Sequence, residues 1–161
     1  MDNDYLVNCI DEDNHKFCIR FVSSRDQELL RCWKNKYSTY FFFSQQISIT
    51  NQSEWFEGYK TRPNDHLFMI EFNSTPIGCI GLRLQDNHWD IYNVIRGHYC
   101  NSSRGIMSLA LKSIISFARS CFTLPIRLKV LIGNPAYRWY LKNNFYVLDT
   151  YKDYVVMQYR F

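Results

Sequence analysis

A chain of 161 residues is long enough to build one domain with a proper core. Hydrophobic residues make up 47% and aromatic residues 17%, which excludes an intrinsically disordered chain. The net charge of +4 comes from scattered lysines and arginines with no basic run. That argues against a nucleic-acid binder and leaves a mildly basic surface that would favour an anionic ligand.

Cys9, Cys18, Cys32, Cys79, Cys100 and Cys121 form no C-x-x-C pair and no Cys/His cluster of zinc-site spacing, so no metal is expected. Met1-Asp2-Asn3-Asp4 is acidic and lacks an apolar signal region, and no apolar run has the length that spans a bilayer. The expectation is a cytoplasmic protein with reduced thiols and no membrane or nucleic-acid partner. No repeat, low-complexity stretch or Gly/Ser linker divides the chain, so residues 1–161 read as a single domain.

Tyr5 to Ile10 is compatible with a short strand, and Asp11-Glu12-Asp13-Asn14 has turn composition. Phe17 to Val22 alternates, with Phe17, Ile19 and Phe21 on one face of a strand. Ser23 or Ser24 can cap a helix over about 25–34 whose apolar stripe is Leu29, Leu30 and Trp33. Residues 37–49 lack clean periodicity and read as a loop with a strand-like piece. Thr50 is placed to cap a second helix over about 52–61, with Trp55, Phe56 and Tyr59 at helical spacing. Three strands follow, Leu67–Phe72, Ile77–Leu84 and Trp89–Ile95, joined by the turns Asn73-Ser74-Thr75-Pro76 and Asp86-Asn87 as an antiparallel meander. The clearest helix runs from about Ser103 to Cys121, with Ile106, Leu109, Ala110, Ser113, Ile114, Phe117 and Ala118 on one stripe, widened by Met107, Leu111 and Ile115. Ile126–Ile132 alternates as a strand, Asn134-Pro135 opens a short helix over about 136–142, and strands over about 146–150 and 154–159 finish the chain. The order predicts an α/β fold: a mixed, mostly antiparallel sheet of about six to seven strands with about four helices, including one parallel crossover.

This order resembles the GNAT superfamily of acyl-CoA N-acyltransferases over about residues 16–161, and three local motifs carry the resemblance. The family opens its long central helix with Gln/Arg-x-x-Gly-x-Gly/Ala. Ser102-Ser103-Arg104-Gly105-Ile106-Met107 is the matching stretch, with Gly105 in place, Ser102 for the Gln/Arg and Met107 for the last small residue. Gly133-Asn134-Pro135-Ala136-Tyr137-Arg138-Trp139-Tyr140-Leu141-Lys142-Asn143-Asn144-Phe145 is similar to the family's Asn-x-x-Ala-x-x-Leu-Tyr-x-x-x-Gly-Phe, with Ala136, Tyr140 and Phe145 in register. Asn144 replaces Gly where a left-handed residue ends the helix. Leu29-Leu30-Arg31-Cys32-Trp33-Lys34-Asn35 and Ile47 to Phe56 look like segments of members acting on nucleotide-linked amino sugars or on protein N-termini.

The resemblance implies acetyl transfer from the cosubstrate acetyl-CoA to the amine of a small-molecule acceptor, such as a nucleotide-linked amino sugar. It also leaves open a protein or peptide amine, or a weakly catalytic acetyl-CoA sensor. The CoA pyrophosphate would lie on the backbone N–H groups of Ser102, Ser103, Arg104, Gly105, Ile106 and Met107, since a helix N-terminus favours an anion. Arg104 would add a cation. Asn93, Val94 and Ile95 would present a backbone donor to the thioester oxygen, with Asn134 and Ala136 also in the cofactor-binding set. Tyr140 would protonate the CoA thiolate, and Asp90, Glu71, His88 and His98 are the candidate bases. The C-terminal strand ending at Phe161 is expected to present a sheet edge, which leaves a homodimer open.

Overall fold

The computed structural model describes residues 5–10, 14–100 and 103–161. The turn assigned to Asp11, Glu12 and Asp13, the acidic segment Met1 to Asp4, and Ser102 lie outside the described residues. The elements in chain order are β1 (Tyr5–Ile10), β2 (Lys16–Phe21), α1 (Gln27–Lys36), α2 (Ile49–Lys60), β3 (Asp65–Phe72), β4 (Thr75–Leu84), β5 (Trp89–Arg96), α3 (Ile106–Cys121), β6 (Ile126–Leu131), α4 (Ala136–Lys142), β7 (Phe145–Thr150) and β8 (Tyr154–Tyr159). The strands form one eight-stranded sheet in the order β1-β2-β3-β4-β5-β6-β8-β7. Every neighbouring pair is antiparallel except β5–β6, which is joined through α3 and parallel. The strand count exceeds the expected six to seven because Tyr5–Ile10 joins the edge of the sheet beside β2.

Period-two alternation divides β3 between two cores. Leu67 and Met69 join Leu30 and Trp33 of α1 and Phe56 and Tyr59 of α2. Phe68, Ile70 and Phe72 join Met107, Ala110, Leu111, Ile114, Ile115 and Ala118 of α3. Both faces of β3 are therefore covered, which is why its sequence is nearly continuous in apolar residues. Each large side chain buried along α3 contributes about 1.5–3 kcal/mol.

Several local expectations shift. The buried stripe of α3 is turned toward Met107, Leu111 and Ile115, leaving Leu109 exposed. Ser48, not Thr50, caps α2: its hydroxyl accepts from the Asn51 N–H at 3.1 Å. No strand forms within 37–48; a 3-10 turn at Ser38–Tyr40 is followed by a loop carrying exposed Phe42 and Phe43. Ile132 lies past the end of β6 and is exposed. The C-terminal strand β8 is interior, between β6 and β7, so the sheet edges are β1 and β7.

Two turns follow from residue chemistry. Asn73 and Ser74 take φ of 50° and 61°, the left-handed pair that a two-residue hairpin between β3 and β4 requires. Asn144 takes φ of 69° after α4, the left-handed residue that ends the helix there. In β2, Arg20 is buried rather than on an open polar face. It donates to Asp26 through both terminal nitrogens at 2.8 Å and to Glu71 through Nε at 2.8 Å.

Candidate active site

The site begins where the sheet splits. β5 and β6 pair only from Trp89 to Ile91 against Ile126 to Leu128, and beyond that the two strands part. On its other side β5 carries an irregularity: Gly81 faces Tyr92 while Cys79 faces Ile95, so β5 holds one extra residue. Asn93 lies in that bulge at φ 47°, a left-handed conformation that asparagine tolerates better than most residues. The edge of β5 from Tyr92 to Arg96 that faces β6 thus has no strand partner.

A groove of about 170 Å³ runs along this opening, lined by Val94, Ile95 and Arg96 on one wall and Asn134, Pro135 and Ala136 on the other. It leads to a cavity of about 520 Å³ that includes Asn93, Val94, Asn134, Asp90 and Tyr140. Asn134 holds the start of α4, accepting from the Ala136 N–H at 2.9 Å and donating to the Tyr40 carbonyl at 3.2 Å.

Tyr140 comes from α4 and is 6% exposed. Its hydroxyl has no hydrogen-bond partner among the described residues, and burial holds its ionisation well above the usual tyrosine value. It is thus a proton-carrying phenol facing a cavity. Asp90 comes from β5, with Arg83 as its cross-strand neighbour on β4. Burial raises its carboxyl above the usual value against the pull of Arg83, which donates to it from Nε at 2.9 Å.

Next to Ser103, which accepts from the groove residue Arg96, the first turn of α3 has no side-chain cap, and none of its residues lines the groove itself. Gly105 precedes it at φ 86°, in the left-handed region, and accepts at its carbonyl from the N–H groups of Ser108 and Leu109. The N–H groups of Ile106 and Met107 have no carbonyl within the helix to bond, as at any helix start. The Met107 side chain is turned into the core beside Gly78, so its bulk lies away from this turn. Ser103 is fully buried, its hydroxyl donating to the Cys100 carbonyl at 2.9 Å. Arg96 stacks over Tyr99 and donates to the Ser103 hydroxyl at 3.2 Å. Gly97, just beyond, lies so close to the Trp33 ring that a Cβ there would come within 1.9 Å of it.

Asp90, Tyr140, Asn93, Val94, Ile95, Asn134 and Ala136 are therefore gathered along one continuous opening. His88 lines the large cavity, and burial, then the charge of Arg127, lowers its basicity. Glu71 and His98 do not line it. Glu71 is held by Arg20 on β2, and His98 is exposed. The sequence reading passed over Lys34, Arg62, Arg83 and Lys129, which surround the same cavity. Lys34 donates to the Asn93 side chain and lies 3.6 Å from the centre of the Phe41 ring. Burial lowers its pKa to about 8. The available signal was Lys34 within the Trp33-Lys34-Asn35 motif and Arg83 on the strand preceding Asp90.

Among the described residues no group of three or more His, Cys, Asp or Glu could hold a metal ion, and no helix is long and apolar enough to cross a membrane. The sequence matches no protein-family model and no curated protein. Solved structures do resemble the fold. FdhC, a nucleotide-linked sugar GNAT, gives a TM-score of 0.73 at 18% identity, covering 89% of this chain and 85% of that one. Spermidine N-acetyltransferase from Vibrio cholerae, solved with CoA and spermine, gives 0.74 at 16% identity, covering 88% and 94%. PaiA N-acetyltransferase from Thermoplasma acidophilum, solved with coenzyme A, gives 0.68 at 19% identity, covering 90% and 99%. The chain has the fold of the GNAT N-acetyltransferase superfamily.

Proposed function

We propose that the protein is a single-domain enzyme that transfers an acyl group from acetyl-CoA or a related thioester to the amine of a small molecule. The observation that carries this reading is the split between β5 and β6, opening onto a cavity lined by the Tyr140 hydroxyl, which has no hydrogen-bond partner among the described residues; the uncapped start of α3 would lie toward the other end, beyond Arg96. The CoA pyrophosphate would sit on the N–H groups of Arg104 to Met107, with Arg104 and Arg96 near it and the pantetheine arm between Val94–Arg96 and Asn134–Ala136. The solved neighbours that carry coenzyme A support this substrate.

The acceptor would enter the 520 Å³ cavity. Its nitrogen, deprotonated by Asp90 directly or through a water, attacks the thioester carbon. The oxygen that becomes negative accepts from a backbone N–H of the Asn93–Ile95 stretch. As the C–S bond breaks, Tyr140 donates its proton to the departing sulfur. Lys34, Arg62, Arg83 and Lys129 outnumber Asp90 around the cavity, which favours an acceptor with an anionic body, such as a nucleotide-linked amino sugar. FdhC, as a nucleotide-linked sugar GNAT, is consistent with that class.

The test is release of CoA thiol from acetyl-CoA with a panel of nucleotide-linked amino sugars, polyamines and N-terminal peptides. Acceptor-dependent release that collapses in Tyr140→Phe is expected. Failure of the protein to bind coenzyme A would overturn the reading.

A further inference from the structure

Among the lysine and arginine side chains that line the acceptor cavity, one has an unusual setting. Arg62 pairs with Asp65 at 3.5 Å, Arg83 pairs with Asp90 at 2.8 Å, and Lys129 is exposed. Lys34 of α1 is half-buried, and among the described residues no carboxylate lies within ion-pair distance of it. Its amine is held instead by the Asn93 side chain, which accepts from it, and by the face of the Phe41 ring.

This amine stands where two cavities meet. Lys34, Phe43, Trp55 and Asn93 line both the acceptor cavity and a second chamber of about 320 Å³. Asn93 lies in the bulge of β5, whose backbone N–H takes the thioester oxygen in the proposed reaction, and the inference rests on that reading. The Lys34 amine is therefore one hydrogen bond from the residue beside which the thioester carbon would lie. A nucleophile held so close reacts as though highly concentrated.

Its protonation suits attack. Burial lowers its pKa to about 8, opposed by the Cys79 thiol on β4; Asp90, His88, Arg62, Arg83 and Lys129 share the larger cavity. At pH 7 about one such amine in ten is neutral, against roughly one in 2,500 for a lysine near 10.4. The second nucleophile at the junction is inert. The Cys79 thiol donates to the Asn93 carbonyl at 3.3 Å, and burial pushes its pKa up to about 12.

We infer that Lys34 is a self-acylation site, taking the acetyl group itself when the donor is bound and no acceptor fills the cavity. The neutral Nζ attacks the thioester carbon. A C–N bond forms, the C–S bond breaks, the amine gives one proton to solvent, and the departing sulfur takes the proton of Tyr140. The product is a neutral amide that still carries one N–H for the Asn93 side chain. The cavity loses one of its cations, so the modified protein holds an anionic acceptor less well.

Incubation of the intact protein with acetyl-CoA alone, followed by peptide mapping in a mass spectrometer, tests this. One acetyl group per chain is expected, on Lys34, and none at that position in Lys34→Arg. Excess coenzyme A should suppress it. Its rate should rise about tenfold between pH 7 and 9 and level off, whereas a solvated lysine would climb about a hundredfold over the same range. A protein that binds coenzyme A but leaves Lys34 unmodified, or labels Lys36 and Lys60 as fast, overturns this inference alone. Labelling of Lys34 that excess coenzyme A does not suppress comes from free solution and also overturns it. Absence of coenzyme A binding overturns it together with the proposed function.

Discussion

Replacing Asp26 with alanine separates a structural carboxylate cluster from a catalytic one. Arg20 is 3% exposed and Asp26 4%, and two 2.8 Å hydrogen bonds join them. Asp26 also accepts from the Ser23 N–H at 2.8 Å, holding the turn into α1. Without it the guanidinium stays buried with only Glu71 opposite. Breaking a buried pair in this way costs about 3–5 kcal/mol. For a chain of this size that corresponds to a fall in Tm of roughly 10 °C. Glu71→Gln keeps an acceptor for Arg20 Nε and leaves the Asp26 fork intact, so it should cost about 1 kcal/mol.

The acid limb carries the same signature. Burial pushes the Asp26 carboxyl up, but its hydrogen bonds and the charge of Arg20 outweigh that and leave it below the usual value. A depressed folded value means the stabilisation is present above the unfolded value, near pH 4, and is lost as pH falls through the folded one. Asp26→Ala should flatten that limb. Urea unfolding at pH 7 and across pH 2–5, beside thiol-release activity, measures all of this. The expected result is a destabilised Asp26→Ala and a Glu71→Gln that keeps its activity within about twofold. A Glu71→Gln variant with unchanged stability and a hundredfold loss of activity would refute the reasoning and restore Glu71 as a base.

Other outcomes follow from the site. Tyr140→Phe should lower kcat by about 10²–10⁴ with little change in Tm, because its hydroxyl leaves no partner behind; thiol release and a thermal melt check both. Lys34 has a folded pKa lowered to about 8 by burial, so between pH 8 and its unfolded value near 10.4 the unfolded chain binds more protons and stability rises with pH. Urea midpoints between pH 7.5 and 9 should show that rise relative to Lys34→Met. Gly97→Ala should destabilise by about 1–3 kcal/mol in urea unfolding, since its Cβ meets the Trp33 ring. Arg104→Ala should weaken coenzyme A binding by roughly fivefold in calorimetry, and the loss should shrink as salt is added.

Much of the fold was legible because its periodicities are local. The apolar run of β3, the alternation of β6 and the period of α3 each announce an element without reference to the rest of the chain. Less legible was anything set by what covers a face. Arg20 sits on the side of β2 that alternation would leave to solvent, and only the arrival of Asp26 and Glu71 makes its burial tolerable. Leu109 and Ile132 have the right spacing for the core but stay exposed. Tyr140 and Asp90 could be singled out from motif register and strand position. The cationic surround could not, because Lys34, Arg62, Arg83 and Lys129 come from four separate elements and loops and meet only in three dimensions.

The parting of β5 from β6 also shapes how the molecule comes open. Three paired residues are all that ties β6, β8 and β7 to the larger antiparallel sheet within the ladder itself. Elements joined by so few backbone hydrogen bonds tend to exchange their amides as separate cooperative units. The three C-terminal strands should therefore show a lower opening free energy than β3 and β4, which are paired along most of their length to both neighbours. A molecule lying along the opening touches both parts at once, so occupancy should slow hydrogen exchange in β6 and β8 as much as in β5, turning a weak seam into a joint whose strength depends on ligand concentration.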